Sequence, residues 1–314
     1  MLYFKKIILA VGFHFLLFNL PVYADVTRVE ANNGNLIMED IPPIPQLIKD
    51  DLHRFQNVRS APFRDWTRDG NGIYITTRFG DVRQLHRVDR AGGSRRQLTF
   101  FDEPVSSVSR QPGGNLISFA MDAGGSEYSQ LFLLDPESGQ SRMISDGESR
   151  NRSALWNRNG SAIAYSSTRR NGASNDLWIS EIGEPENSRM ILESPDGSWW
   201  GPGDWSANDR KLLIQQYISV TDSRIHLLDI ETGDLTLLKG SAETPSVNIA
   251  IAFDKSGDGF YFLTDTNIEF AKLAYQRFAQ PEHVVITHDI PWDVDEVAIS
   301  NDRNRLAFSV NAGG

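Results

Sequence analysis

A figure that recurs about every 47 residues constrains the fold of this chain more than any other feature of its sequence. In each copy a bulky residue precedes a polar turn, and a short run of alternating apolar and polar residues follows, as in ALWNRNGSAIAYSS at residues 154–167. Successive bulky residues lie 42, 48, 49, 48 and 46 positions apart. Six copies at nearly constant spacing predict a repeat architecture. The bulky residues are Trp66, Val108, Trp156, Trp205, Phe253 and Ile299.

The second half of each copy predicts a β-hairpin. The segments QLHRVDRAGGSRRQLT, QLFLLDPESGQSRMIS and RIHLLDIETGDLTLLK each contain an alternating run that reaches an Asp, a turn with Gly, and a returning run. A full copy therefore holds about four short antiparallel strands, which is typical of a β-propeller blade. The sequence predicts an all-β propeller with five complete blades and a partial sixth, in which each bulky residue packs between neighbouring blades.

The first 24 residues predict a secretory signal peptide. Lys5 and Lys6 precede the apolar run IILAVGFHFLLFNL, and VYA supplies small residues before a cleavage site after Ala24. The alternative is a membrane anchor, but the apolar run is short for a span and Pro21 follows at once. We therefore expect a periplasmic or secreted protein, with the signal peptide at 1–24, an N-terminal extension at 25–58 and the propeller at 59–314.

Charge and cysteine content exclude several classes of function. The formal net charge is −10, and loss of the two lysines with the signal peptide would make it −12. An acidic surface argues against nucleic acid and anionic lipid as partners. The chain has no cysteine, so disulfides, cysteine metal ligands and cysteine nucleophiles are excluded. No cofactor is expected.

The N-terminal extension predicts one amphipathic helix and one strand. Five apolar residues fall within one stripe at 100° per residue, between prolines and Asn57, and this helix is expected to lie against the propeller. The segment GNLIMEDI ahead of it is a candidate strand. The stripe consists of Ile44, Leu47, Ile48, Leu52 and Phe55.

The chain ends at Gly314, after the second strand of the sixth copy. An unfinished blade exposes unpaired backbone groups at its edge, which propellers avoid by closing the ring. Two solutions are open: NLIMED from the N-terminal extension completes the sixth blade, or the natural protein continues beyond Gly314. We favour continuation.

One segment resembles a known family. FQNVRSAPFRDWTRDGNGIYITTRFGDVRQLHRVDRAGGSRRQLTFFDEPV, residues 55–105, resembles the start of the propeller in bacterial serine peptidases of the prolyl oligopeptidase family, among them relatives of acylaminoacyl peptidase and dipeptidyl peptidase. The most specific part is TRFGDVRQLHRV followed by GGSRRQLTFFDEPV. Later blades resemble this family and the TolB-like propellers more loosely, and the likeness covers about residues 44–314.

The resemblance implies a propeller that precedes an α/β-hydrolase domain and restricts its active site to short or flexible peptides. These 314 residues contain no Gly-x-Ser-x-Gly, the turn that exposes a nucleophilic serine in such a domain. We therefore expect a non-catalytic propeller that gates and positions peptides over a hydrolase domain, and that is inactive alone. The alternative is a stand-alone periplasmic TolB-like interaction module. A sugar-processing or lyase propeller would need an acid–base cluster that the sequence does not locate.

The histidines suggest no site. His86 and His226 occupy similar places in the third strands of their copies, which indicates a structural role. A catalytic triad built on them would need a serine held by fixed geometry, and nothing in the sequence points to one. Two later histidines are five residues apart, so on one strand they would face opposite sides and could not bind one metal together. This weak metal candidate comprises His283, His288, Asp289, Asp293 and Asp295.

Two further motifs have structural explanations that we prefer. DKSGDG at residues 254–259 resembles half of a calcium loop, but Asp265 stands where a Glu is expected and the repeat makes it a blade turn. DGSWWGPGDW contains the bulky Trp205 and the adjacent Trp199 and Trp200, of which one could line a ligand surface while packing between blades remains the expectation. We assign no catalytic, cofactor-binding or metal-binding residue.

Overall fold

The computed structural model describes residues 26–313. Within that range the chain forms an all-β propeller of five four-stranded antiparallel sheets and a sixth sheet of two strands, preceded by a small hairpin and one helix. The predicted fold class, with five complete blades and a partial sixth, is confirmed. The predicted signal peptide at 1–24 lies outside the described residues. No helix in the described part of the chain is long and apolar enough to cross a membrane.

The elements follow one another without long insertions. The N-terminal extension contains β1 (Arg28–Ala31), a 3₁₀ turn (Asn32–Gly34), β2 (Leu36–Glu39) and α1 (Gln46–Gln56). Blades 1 to 3 contain β3 (Phe63–Trp66), β4 (Ile73–Thr77), β5 (Gln84–Val88) and β6 (Arg96–Gln97); β7 (Ser106–Arg110), β8 (Ile117–Met121), β9 (Gln130–Leu134) and β10 (Ser141–Met143); β11 (Asn151–Trp156), β12 (Ala162–Ser167), β13 (Asp176–Glu181), a 3₁₀ turn (Pro185–Asn187) and β14 (Arg189–Leu192). Blades 4 to 6 contain β15 (Trp199–Trp205), β16 (Lys211–Ser219), β17 (Asp222–Asp229) and β18 (Leu235–Lys239); β19 (Asn248–Phe253), β20 (Gly259–Thr264), β21 (Lys272–Arg277) and β22 (His283–Val285); β23 (Val294–Ile299) and β24 (Leu306–Val310).

Strands within a blade pair in chain order, and the first strands of neighbouring blades contact one another, as β3 contacts β7 and β15 contacts β19. The first strands therefore surround the axis, and a central channel runs between them. We call the end of the channel where these strands begin the leading end. The opposite end, which carries the turn between the first and second strand of each blade, is the turn end.

Each of the six first strands contains a β-bulge. In every blade the pairing of the first with the second strand shifts so that the first strand has one extra residue, for example Gly203 between Pro202 and Asp204 in blade 4. A bulge bends a strand and re-aims the side chains that follow it. The alternation of faces in these strands therefore changes once before the turn end.

The bulky residues of the central blades pack between blades as predicted. Trp156, Trp205 and Phe253 are at most 6% exposed. Trp205 belongs to an apolar core with Ala164 and Leu177 of the preceding blade. Burying such side chains contributes most of the stability of a propeller, because a single sheet has two apolar faces and covers neither.

The other anchor positions differ from the prediction. The residue of blade 2 that matches the register of Trp156 is Arg110, since Arg110 pairs with Ile117 as Trp156 pairs with Ile163. Val108, the predicted residue, lies two positions earlier and is buried. Trp66 is 55% exposed, because these residues pack toward the preceding blade and no described blade precedes the first.

The N-terminal extension forms the predicted elements but not the predicted packing. The helix spans residues 46–56 with Asn57 as its C-cap, yet none of its residues is buried, and the stripe residues of the extension are 42–76% exposed. The prediction that this helix packs on the propeller is therefore wrong for the apolar stripe. The predicted strand is β2, and it pairs with β1. Among the described residues it does not complete the sixth blade, so that alternative is wrong.

The extension lies at the leading end. The Asn35 side chain donates to the carbonyl oxygens of Ala123 and Gly124, in the loop after β8, at 3.4 and 3.2 Å. The Arg78 guanidinium, just after β4, donates to the carbonyl oxygen of Gln56 at the end of α1. Because both loops follow second strands, the hairpin and the helix share one end of the channel.

Candidate functional site: the two ends of the channel

The turn end is held together by side-chain hydrogen bonds between successive first turns. Arg68 donates to Asn115 at 3.4 Å, Gln111 to the carbonyl oxygen of Gly160 at 2.8 Å, and Lys255 to Asn304 at 2.8 Å. Between blades 3 and 4, the backbone N–H groups of Arg158 and Asn159 donate to the Asp209 carboxylate at 2.6 and 3.1 Å. These bonds connect the turns of blades 1 to 4 and, separately, those of blades 5 and 6.

Asp204 joins four blades at the turn end. It belongs to blade 4, and its carboxylate accepts from the Arg158 guanidinium of blade 3 at 3.0 Å and from the Arg303 guanidinium of blade 6 at 2.6 Å. The backbone N–H of Phe253 in blade 5 donates to it at 2.8 Å. Arg303 also donates to the carbonyl oxygen of Phe253. A cavity of about 410 Å³ beside this cluster is lined by residues of five blades, including Asp65 and Arg110.

The position of Asp204 just after the bulge explains why its side chain points toward blade 5. The extra residue Gly203 shifts the register by one, so Asp204 points toward blade 5 rather than along the regular alternation. The side chain is 14% exposed. Burial raises the pKa of Asp204 to about 6, because removing the carboxylate from water outweighs the opposing effect of Arg158 and the backbone N–H donors.

The leading end has a different character. A pocket of about 780 Å³ opens between blades 3, 4 and 5. Its walls are mainly apolar, Arg152 is the charged residue that lines it, and the β16–β17 hairpin extends beside it. Concave apolar surfaces with few polar groups are the usual sites for ligands. The apolar lining residues are Trp199, Tyr217, Val220, Val247 and Ile249.

Trp199 is held in this pocket by a glycine. A Cβ atom built on Gly201 would lie 2.2 and 2.4 Å from two carbons of the Trp199 indole. The indole therefore lies over the bare Cα of Gly201, two residues along the same strand. Tyr217 is directly opposite Trp199 on β16 and is 44% exposed. The two aromatic residues form one wall of the pocket.

The tryptophan motif thus divides between core and pocket. Trp200 is 2% exposed, and its indole N–H donates to Asp196 at 2.8 Å. The Trp205 N–H donates to the carbonyl oxygen of Leu155 in the preceding blade at 3.3 Å. Of the three tryptophans, Trp199 alone lines the pocket.

The two third-strand histidines occupy equivalent structural positions. His86 pairs with Ile75 and His226 with Ile214 on the second strands of their blades. The His226 ring Nε2 lies 2.9 Å from the Gln216 side-chain oxygen, and the ring packs 4.8 Å from that of Trp200. Burial lowers the pKa of both histidines, that of His226 to about 4.

The candidate metal residues are not brought together. His283 lies on β22 and accepts from Lys239 at 3.2 Å, whereas His288 lies beyond the strand and is paired with Asp289 at 3.1 Å on the surface. The Asp254 carboxylate, in the calcium-like segment, accepts from Gly257 N–H at 2.7 Å and from the Tyr275 hydroxyl at 2.8 Å. Among residues 26–313, no group of three or more His, Asp and Glu side chains is placed to hold a metal ion.

Sequence reasoning missed Asp204, Arg158, Arg303 and Gly201. The signal for the first was present, since Asp-Trp occurs at the end of the first strand in two copies, at residues 65–66 and 204–205. The two arginines carried no signal, because a turn arginine looks like any solvated residue until its partner is known.

Comparisons with known proteins agree with this architecture. A prolyl endopeptidase structure, from a study of inter-domain dynamics in catalysis and specificity, matches with a TM-score of 0.66 at 15% identity, covering 83% of this chain and 41% of that one. TolB from Acinetobacter baumannii matches with a TM-score of 0.52 at 14% identity, covering 82% of this chain and 58% of that one. At these identities the likeness shows the fold. The chain spans less than two thirds of the length of either protein.

The sequence itself points to one family. It matches no curated protein at a significant level. The profile of the prolyl oligopeptidase N-terminal β-propeller domain matches residues 103–291, more than half of the chain. The resemblance found in residues 55–105 lies mostly before this match, so the two together extend over most of the propeller. The chain therefore belongs to the family of prolyl oligopeptidase N-terminal β-propeller domains.

Proposed function

We propose that this chain is the non-catalytic propeller of a prolyl oligopeptidase-like serine peptidase, and that it gates and positions peptides over an α/β-hydrolase domain. The observation that carries the proposal is the apolar pocket of about 780 Å³ at the leading end. Its Trp199–Tyr217 wall suits the side chains of short peptides, since aromatic walls bury large apolar groups and leave polar backbone groups to water.

The N-terminal extension supports the proposal that the hydrolase domain covers the leading end. Its hairpin and helix lie at the leading end, and the apolar stripe of the extension remains 42–76% exposed. An exposed stripe of five apolar residues is typical of an interaction surface. A hydrolase domain that covered this end would bury the stripe and would enclose a peptide held in the pocket.

The positioning role is tested by peptide binding to the chain as it stands. Short peptides with a bulky apolar side chain are titrated while tryptophan fluorescence and calorimetric heats are recorded. Tyr217→Ala is expected to weaken binding by about tenfold or more, because it removes one wall of the pocket. Tyr128→Ala is the matched control, since Tyr128 is also about half exposed, at 46%, but does not line the pocket. Absence of binding, or equal loss in both variants, would contradict a positioning role.

A stand-alone TolB-like interaction module is the second candidate, and the likeness to TolB at a TM-score of 0.52 favours it. The coding sequence after the codon for Gly314 distinguishes the two. A continuing frame with Gly-x-Ser-x-Gly, followed by Asp and His, supports the peptidase. A stop codon with no such frame supports the interaction module. A fluorophosphonate probe is expected to leave this chain unlabelled under either candidate.

We also infer that the protein is exported to the periplasm or secreted. The support is the Lys5–Lys6 start, the apolar run and the small residues before Ala24. N-terminal sequencing of the mature protein is expected to begin at Asp25, and an intact Met1 would contradict cleavage.

A further inference from the structure

One contact at the turn end skips a blade. The other hydrogen bonds between first turns join neighbours, whereas Arg303 of blade 6 reaches Asp204 of blade 4, 99 positions earlier in the chain, at 2.6 Å. Its side chain is 8% exposed, although the neighbouring Phe308 on β24 is 41% exposed. The charged side chain of this turn is thus more deeply covered than an aromatic side chain of the adjoining strand.

The backbone at Arg303 is in the left-handed region, with a φ of +56°. The same turn position is occupied by Gly70, Gly160 and Gly257 in blades 1, 3 and 5, and by Asp209, with a φ of +58°, in blade 4. A residue with a Cβ atom is strained in this conformation, whereas glycine adopts it without strain. Strain of this kind persists where the surrounding contacts offset it, and it points to a role for the side chain.

We propose that Arg303 and Asp204 form a latch, which fixes the sixth sheet at the turn end of the channel and whose opening lets that sheet move away from the axis. The guanidinium of Arg303 bridges the Asp204 carboxylate and the carbonyl oxygen of Phe253, so it ties blade 6 to blades 4 and 5 at once. Charge-assisted bonds of this type are about twice as strong as neutral ones and fix direction. The latch is a property of the propeller itself and does not depend on the proposed peptidase function.

Double electron–electron resonance measures the distance between two spin labels and so reports whether the latch is closed. The sequence has no native cysteine, so the labels attach only at introduced cysteines. Spin labels are placed at Ala207→Cys in the turn of blade 4 and Asn301→Cys in the turn of blade 6, two exposed positions. We expect one narrow distance distribution in the parent. Arg303→Gly should give a broader distribution or a second, longer distance, although glycine suits the local φ and removes the backbone strain. Arg303→Lys should restore part of the narrow population.

Two controls keep the result specific. A second label pair, Ala207→Cys with Ala91→Cys in blade 1, should keep its distance in Arg303→Gly, because blades 1 and 4 do not depend on the latch. Asp204→Asn, which keeps the shape of the side chain and removes its charge, should broaden the distance between blades 4 and 6 as Arg303→Gly does. Unchanged distances in Arg303→Gly, or equal broadening of both label pairs, would each overturn the proposal.

Discussion

Blades 1 and 4 carry the same Asp-Trp pair at the same register and use it differently. Trp66 is 55% exposed, whereas Trp205 is 2% exposed and donates to the preceding blade. Asp65 accepts from the backbone N–H groups of Trp66 and Arg110, at 2.7 and 2.8 Å, whereas Asp204 binds two guanidinium groups. The local sequence fixes where these side chains point. The neighbouring blades decide whether they are surface or core.

The largest expected difference between the two blades is in packing. Trp205→Ala should lower the free energy of unfolding by about 3–5 kcal/mol, because it opens a buried cavity. Trp66→Ala should change it by about 0.5 kcal/mol or less, as for other surface substitutions. Urea unfolding followed by circular dichroism measures both. Similar losses in the two variants would show that Trp66 is covered in solution.

The equivalent third-strand histidines give the next test. The folded pKa of His226, about 4, lies below its ordinary value of 6.5, so the unfolded chain binds the proton more tightly. The stability linked to His226 is complete above pH 6.5 and falls by up to about 3 kcal/mol as pH decreases toward 4. His226→Gln should remove this component from the pH profile of unfolding. His86→Gln in blade 1 is the matched variant and should leave the His226 component in place.

Asp204 should change the free energy of unfolding with pH in the opposite direction to His226. Its folded pKa, about 6, lies above the ordinary 3.8, so the folded chain binds the proton more tightly. Stability linked to this group is complete below about pH 3.8 and falls by up to about 3 kcal/mol as pH rises to 6. Asp204→Asn should remove this decrease, while Asp65→Asn in blade 1 should retain it. Because His226 and Asp204 partly cancel in the parent, each single variant should show a steeper profile than the parent.

The smallest expected effect concerns the contact between Gly201 and Trp199 at the start of the first strand of blade 4. Gly201→Ala should displace the Trp199 indole and cost about 1–3 kcal/mol, because the added Cβ overlaps the ring. Gly197→Ala, two residues before Trp199, is the matched control, since a Cβ there meets nothing within 4 Å and its φ is not in the left-handed region. Tryptophan emission and thermal unfolding report both. An unchanged emission spectrum in Gly201→Ala would mean that Trp199 is not held by this contact.

The repeat made the architecture predictable, but the sequence did not predict the interactions between repeats. Four strands per copy, the hairpin after each Asp and the burial of Trp156, Trp205 and Phe253 follow from spacing and alternation. The pattern of bulky apolar residues predicts Val108 and not Arg110, because an arginine does not belong to that pattern; the Arg110 guanidinium donates to the carbonyl oxygen of Trp66 at 3.0 Å. Periodicity identifies a face, and it carries no information on which neighbour covers that face.

The same reason explains the outcome at the two ends of the channel. The tryptophan motif drew attention to Trp199, but its place in a pocket depends on Gly201 and on Tyr217 of the next strand. The Asp204 cluster joins residues that are 46 and 99 positions apart from it, and no local pattern links them. The prediction of a helix over the apolar stripe is confirmed, whereas the stripe alone does not indicate what covers it.

The extra residue in each innermost strand exchanges the sides that odd-numbered and even-numbered residues face. In blade 4, the even-numbered residues face one neighbouring blade before the bulge, and the odd-numbered residues face it after the bulge. Deleting Gly203 itself would bring together Pro202 and Asp204, which pair with the adjacent Ile214 and Leu213, so Asp204 and Trp205 would keep their sides and the strand would lose its bend. A single deletion on either side of the bulge would instead send part of the strand to the opposite face, so the bulge is the place where an innermost strand accommodates a change of one residue.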